Sequence, residues 1–336
     1  MSVEKMVNWF KERPLLRSQM EAVPKRLYEL VGLIEAGDQL PMDQRIRAVS
    51  ALGDLLLHDP SEVGLTCLLD CVRHERDCRF ITHVISVLGR LKSEDAVPVL
   101  IDALLAIRID LYETPRTANF AQSDDSLRVR CAAVQALGKI RDNRAIIPLM
   151  SILNNRDENY RLRLAVAESL GKLGDDFAVS PLIAILADER EKSVYLKESV
   201  AKALGMLGDI RAIEPLIDIL ESKRGIRDKF NFLKEQVIEA IGRIGRPNRK
   251  ATDSLLIALQ DEAPSIRLAA VEALAAIGDE DCLNALKGRV FDEDDEVAKA
   301  SVYAVYNLGG REAIDDLLTR ENLPRFLREE LEGYLP

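Results

Sequence analysis

The chain has 336 residues, 47% hydrophobic and 30% charged, which excludes a disordered polymer and leaves enough apolar material for a large ordered protein. Its net charge of -10 argues against nucleic-acid binding and against docking on anionic membranes, both of which need clustered Lys and Arg. Five unevenly spaced cysteines do not form a disulfide framework, so a reducing cytoplasm is expected.

The first stretch, MSVEKMVNWFKERPLL, scatters charges through any apolar run and does not read as a secretory signal. Nowhere does an apolar run approach the roughly 18 residues of a membrane span. Residues 3–12 and 25–36 read as helices, with Trp9 and Phe10 stapling an N-terminal cap (1–24) onto the first repeat. From there one pattern returns, most clearly in VRCAAVQALGKI, LRLAVAESLGKLG, LKESVAKALGMLG and IRLAAVEALAAIG. Its marker falls at Gly53, Gly89, Gly138, Gly171, Gly205, Gly242, Ala275 and Tyr306, with gaps of 36, 49, 33, 34, 37, 33 and 31 residues. A helical pattern with a period near 34 predicts an all-α fold: a right-handed α-solenoid, or superhelix, of eight to nine helical hairpins over residues 25–320.

Each unit is predicted to hold two helices. Helix A carries Pro98, Pro148, Pro181 or Pro215 near its start, where a missing N–H is tolerated. Helix B carries the marker, and small residues such as Ala132, Ala133, Ala165, Ala269 and Ala270 let neighbours approach. Gly174, Gly208, Gly245, Gly278 and Gly309 are expected to end it in the left-handed conformation. Eight positions before the marker lies a basic column: Arg45, Arg130, Arg163, Lys197, Lys234 and Arg267. Six residues earlier lies an acidic one: Asp124, Asp157, Glu191, Asp228, Asp261 and Asp292. These read as a ladder that caps helix B, pairs with the neighbouring turn and fixes the stacking angle.

In the second unit, CLLDCVRHERDCRFITH (67–83) holds three of the five cysteines and two of the three histidines. Cys67, Cys71 and His74 share a helix face, and with Cys78 they are weak metal-ligand candidates. Against that, Cys67 lies 14 residues after its marker, as do Ile152, Ile185 and Ile219, which are core positions. His83 occupies the column of Ala132, Ala165 and Ala269 and is expected to face a neighbouring helix. Core packing is therefore the expectation, with no metal and no cofactor.

The one long gap is IRIDLYETPRTANFAQSDDS (107–126), an insertion in an A–B turn bearing Tyr112, Arg116 and Phe120. A second irregularity, ESKRGIRDKFNFL (221–233), is a basic turn with two aromatics. Helix B is expected to line the concave side and present Gln135/Lys139, Glu168/Lys172 and Glu239/Arg243, while the last unit offers Tyr303, Tyr306 and Asn307. Residues 311–332 read as a closing helix pair, 321–336 serving as a C-terminal cap helix, and no linker divides the chain.

The pattern D-x-x-x-x-V-R-x-x-A-A-x-A-L-G-x-L-G-D, clearest in DENYRLRLAVAESLGKLGDD and DEAPSIRLAAVEALAAIGDE, resembles the HEAT-like repeats of the phycobilisome (PBS) lyase type. That resemblance implies either a scaffold and assembly factor or a subunit handling bilin chromophores. The deoxyhypusine hydroxylase variant of the architecture needs several His-Glu dyads, and this chain has one, His74-Glu75. No P-loop, no dinucleotide fingerprint and no nucleophile elbow is present. The expected function is a non-catalytic protein-interaction scaffold, adaptor or assembly factor that holds another protein, also as part of a hetero-oligomer. Its partner-binding residues are expected among Tyr112, Arg116, Phe120, Lys139, Glu168, Lys172, Tyr303 and Tyr306. A phycobilin lyase-type subunit is the alternative reading, and a metal or iron–sulfur assembly factor using 67–83 is the weaker one.

Overall fold

The computed structural model describes residues 24–105, 124–222, 230–319 and 327–328, and every regular element among them is helical. The predicted helix at 3–12, the insertion residues Tyr112, Arg116 and Phe120, and nearly all of 321–336 lie outside the described residues. Sixteen α-helical segments alternate as A and B members of eight consecutive hairpins among those residues, the last segment broken into two helices at Gly310. The A helices are α1 (Lys25–Ile34), α3 (Glu62–His74), α5 (Val97–Leu105) and α7 (Ile146–Asn154), then α9 (Val179–Ala187), α11 (Ile213–Ser222), α13 (Arg249–Ala258) and α15 (Leu283–Arg289). The B helices are α2 (Met42–His58), α4 (Cys78–Leu91), α6 (Asp124–Ile140) and α8 (Tyr160–Leu173), then α10 (Val194–Leu207), α12 (Asn231–Ile244), α14 (Pro264–Ile277) and α16 (Asp295–Leu318).

The chain divides into two compact units, Met1–Ser169 and Leu170–Pro336, and the division falls inside α8 rather than in a linker. In the first unit α2, α4 and α6 form one layer, and α1, α3 and α5 a second. In the second unit α10, α12, α14 and α16 make the B layer, and α9, α11 and α13 the A layer. The expected all-α solenoid of stacked hairpins is thus the architecture within each unit.

Local chemistry explains the hairpins. An aspartate after helix B starts each regular B–A turn. Asp142, Asp175, Asp209 and Asp279 accept from the backbone N–H two residues on, at 2.8, 2.8, 2.8 and 3.1 Å, nucleating a 3-10 turn that leads into helix A. Pro148, Pro181 and Pro215 follow in the first helical turn. At the other end Gly208, Gly245 and Gly278 close their B helices with φ of 69°, 60° and 76°. In the last repeat the left-handed residue is Gly310 (φ 58°, ψ -155°), not Gly309 as the spacing predicts. Gly309 is instead held small by crowding: a Cβ there would meet Ala313 at 2.5 Å and Leu283 at 3.0 Å.

The marker glycines are contact points between successive B helices. A Cβ on Gly89 would lie 3.0 Å from the Ala136 Cα, and one on Gly171 2.8 Å from the Ala203 Cα. At Gly205 and Gly242 the corresponding distances to the Cα atoms of Ala240 and Ala273 are 2.7 and 2.8 Å. The obstruction is backbone, so any side chain would push the helices apart.

The basic column staples unit to unit. Arg130 donates from Nε to the Leu104 carbonyl at the end of its own helix A (2.8 Å). Its other two nitrogens grip Glu158 in the next A–B turn, at 3.0 and 2.6 Å. Arg45 repeats this, bonding the Ile34 carbonyl at 2.9 Å and pairing with Glu75 of the following turn. Its guanidinium also stacks on the buried Phe80 ring, 4.2 Å from the centroid. Arg163 bonds the Leu153 carbonyl at 3.0 Å. Lys234 reaches Asp261 of the next turn at 3.2 Å, and Arg267 holds Asp292 through two bonds of 3.0 and 2.6 Å. The base therefore joins the acid of the neighbouring turn, the expected ladder, with two refinements: Glu158 rather than Asp157 receives Arg130, and Glu75 belongs to the acidic column. Burial alone would raise the Glu75, Glu158 and Asp292 carboxyls, but their guanidinium and backbone N–H partners hold all three below the usual carboxylate range.

Candidate functional site

With the charge columns absorbed into the stacking, the side chains left at the surface of the B helices form the candidate site. Lys139 on α6 is exposed, and Glu168 and Lys172 on α8 are half-buried. Glu239 and Arg243 on α12 pair at 2.6 Å across one helical turn. On α16 Tyr303 and Tyr306 are 56% and 36% exposed, beside the exposed Asn307. The expected residues Lys139, Glu168, Lys172, Tyr303 and Tyr306 thus lie on α6, α8 and α16, on separate repeats.

The cysteine–histidine stretch is split by the hairpin turn. Cys67 and Cys71 lie on α3, His74 ends that helix, and Cys78 begins α4. Cys67 is fully buried, Cys71 and Cys78 are half-buried, and His74 is exposed. A hydrogen bond with the Cys71 thiol and burial push the Cys67 thiol well above its ordinary range. Burial likewise raises Cys131, and pushes Cys282 up to about 11. These are neutral thiols with little nucleophilic character. Among the described residues no group of three or more His, Cys, Asp or Glu side chains is placed to hold a metal ion.

One polar pair was invisible in the sequence because its members are 33 residues apart: Ser50 Oγ on α2 lies 2.8 Å from His83 Nε2 on α4. The pair borders a groove of about 370 Å³ lined by Ile46, Arg79, Thr82, His83 and Ser86. Burial and the nearby Arg90 guanidinium lower the His83 pKa, so the imidazole is neutral at pH 7. The Ser50 hydroxyl also bonds the Ile46 carbonyl at 3.2 Å, as a mid-helix serine commonly does. His83 thus faces the neighbouring B helix, as its repeat column implied, and the pair reads as an interhelix contact.

Among the described residues no helix is long and apolar enough to cross a membrane. The model of HEAT repeats matches four overlapping spans, 114–196, 155–229, 226–307 and 252–331. No curated protein sequence matches the chain. Among solved structures, a chain of the Kap95p–RanGDP complex superimposes with a TM-score of 0.59 at 13% identity, covering 92% of this chain and 46% of that one. Importin beta superimposes with a TM-score of 0.55 at 15% identity, covering 93% of this chain and 46% of its own. This chain therefore spans about half of each, and the likeness is one of fold. The complex of CpcE and CpcF of phycocyanin lyase from Nostoc sp. PCC7120 matches at 24% identity over 66% of this chain and 95% of that one, with a TM-score of 0.42. The matched repeats run from residue 114 to 331, well over half the sequence, and the aspartate-started turns, glycine contacts and basic staples recur along that span: the chain belongs to the HEAT repeat family.

Proposed function

We propose that this chain is a non-catalytic protein-interaction scaffold, an adaptor or assembly factor. It holds a protein partner in the cytoplasm on the exposed faces of its B helices and at the 107–126 insertion. HEAT-repeat solenoids are typical protein-binding scaffolds, and one observation supports that role here. The buried columns repeat from unit to unit, and the columns three before and one after the marker set a mixed-charge strip along the B helices: Gln135 and Lys139, Glu168 and Lys172, Glu239 and Arg243. The last unit departs from that strip with Tyr303 and Asn307. Repeated staples fix the spacing of a charged strip that ends in an aromatic unit, and that break in chemistry gives one particular partner a place to be recognised.

The insertion breaks the repeat and brings Tyr112, Arg116 and Phe120 together in sequence, residue types enriched where binding energy concentrates. The test replaces residues 110–122 with a short Gly-Ser turn and compares co-purification of partners from the native host. Capture should fall at least tenfold while the melting temperature moves by only a few degrees, because loop-length changes cost little. Undiminished capture would remove the insertion from the binding surface. A bilin absorbance band that purifies with the chain would instead support the chromophore-handling reading. Stoichiometric zinc or iron lost on changing Cys71 and Cys78 to Ser would support the metal one.

A further inference from the structure

Helices α10 and α12, adjacent in the B layer of the second unit, carry an uncompensated feature in matching register. Tyr195 and Phe232 stand at the same repeat position, ten residues before their markers, and are 69% and 56% exposed. Three residues on, on the same faces, are Glu198 and Glu235. Glu198 is only 7% exposed, yet no described cation pairs with it. Lys202, one turn further along α10, is exposed and does not close on it, and Lys234 beside Glu235 is committed to Asp261 at 3.2 Å. Burial and the Glu235 carboxylate both push Glu198 toward its neutral form. Every other buried charge in the B layer whose contacts are given above has its partner. This pair instead sets two carboxyls in matching register on adjacent helices, each one turn from a solvent-exposed ring.

We propose that Tyr195, Glu198, Phe232 and Glu235 form a docking site for an arginine or lysine side chain presented by a basic segment of a protein partner. Charge complementarity selects the occupant. Two carboxylates without a third ligand are too few for a hard metal ion, whereas a guanidinium or ammonium can bond both and lay its face or stem against the rings. Desolvating a cation here also relieves the Glu198–Glu235 repulsion, so binding and strain relief act together. The inference extends the scaffold reading proposed above but rests on different residues from the insertion, so either can fail alone.

The test uses the full-length protein and a fluorescein-labelled octapeptide of alternating lysine and arginine, followed by anisotropy at 50 and 300 mM NaCl. The wild type should bind with an affinity that weakens with salt. E198Q/E235Q should bind at least tenfold more weakly, and Y195S/F232S about three- to tenfold more weakly. A charge-matched control remote from the site, D281N/E312Q, should change affinity by less than twofold. Because E198Q removes a repulsion, the double variant should melt no lower than wild type, which separates lost binding from lost folding. Equal weakening by the control and E198Q/E235Q would reduce the effect to net charge and overturn the proposal. Undetectable binding by the wild type would do so as well. Binding that emerges only after Lys223, Arg224, Arg227 and Lys229 are neutralised would assign the site to the chain's own basic turn. Self-association of the wild type that E198Q/E235Q abolishes would assign it to a second copy. Either assignment overturns the proposal.

Discussion

Replacing Arg130 with Met tests whether the basic column holds the repeats together. The substitution keeps the buried stem but removes three hydrogen bonds, to the Leu104 carbonyl at 2.8 Å and to Glu158 at 3.0 and 2.6 Å. Losing the partner of a largely buried carbonyl costs about 1 kcal/mol. Stranding the Glu158 carboxylate, whose side chain is 14% exposed, costs more. Breaking a buried ion pair from one side typically costs about 3–5 kcal/mol, and the residual water access of Glu158 places the expected total near 3 kcal/mol. Urea denaturation followed by far-UV circular dichroism should show this as a lowered midpoint. Adding E158Q to the variant should recover about half, since no charge is then stranded. The effect should also depend on pH. The folded Glu158 carboxyl lies below its unfolded value, so its pairing stabilises fully above the unfolded value and fades as pH falls through the folded one. The difference between wild type and variant should therefore shrink steadily below about pH 4.5. A loss under about 1 kcal/mol at pH 7, or a gap that widens in acid, would refute the staple.

Other consequences are equally specific. Gly205→Val should destabilise by about 1–3 kcal/mol through overpacking against the Ala240 backbone. Gly288→Ala, where nothing lies within 4 Å of the added Cβ, should be neutral or stabilising by up to about 1 kcal/mol; thermal melts decide both. Lys92 and Arg141 hold the left-handed position with φ of 51° and 63° where other repeats use glycine. Arg141→Gly should then cost nothing or add a few tenths of a kcal/mol, whereas Gly208→Ala should lose about 1 kcal/mol. In an Ellman titration at pH 8, Cys67 and Cys282 should stay unreactive until the chain unfolds. Prompt reaction of either in the native protein would contradict the packing described.

The sequence carried the hairpins because the same buried columns recur. The offset that aligned Cys67 with Ile152 and Ile185 placed all three among the buried residues. The marker was legible, and its cause, contact with an alanine of the next B helix, needed coordinates. The ladder was legible as two columns and as pairing with the neighbouring turn, but the acid that takes part was not. Only the path of the turn decides that Arg130 meets Glu158 rather than Asp157. Gly309 and Gly310 show the limit of spacing. Two adjacent glycines do different jobs, one yielding room to Leu283 and Ala313, the other taking the backbone conformation. The candidate site was less legible still. Phe232 stood out as part of a basic aromatic turn, but its register with Tyr195 and the two glutamates comes from helix packing. The Ser50–His83 contact, made across two helices, has no local signature at all.

The scaffold reading meets its most direct test in hydrogen–deuterium exchange on the complex isolated from the native host, compared with the free chain. Protection on partner binding should fall on peptides spanning 110–122 and on the B-helix positions Lys139, Glu168, Lys172, Tyr303 and Tyr306. The buried staple peptides around Arg130, Lys234 and Arg267 should remain as they are in the free protein. A chain that shows no change in exchange at any of these surface peptides, in a complex verified by mass, would contradict the account.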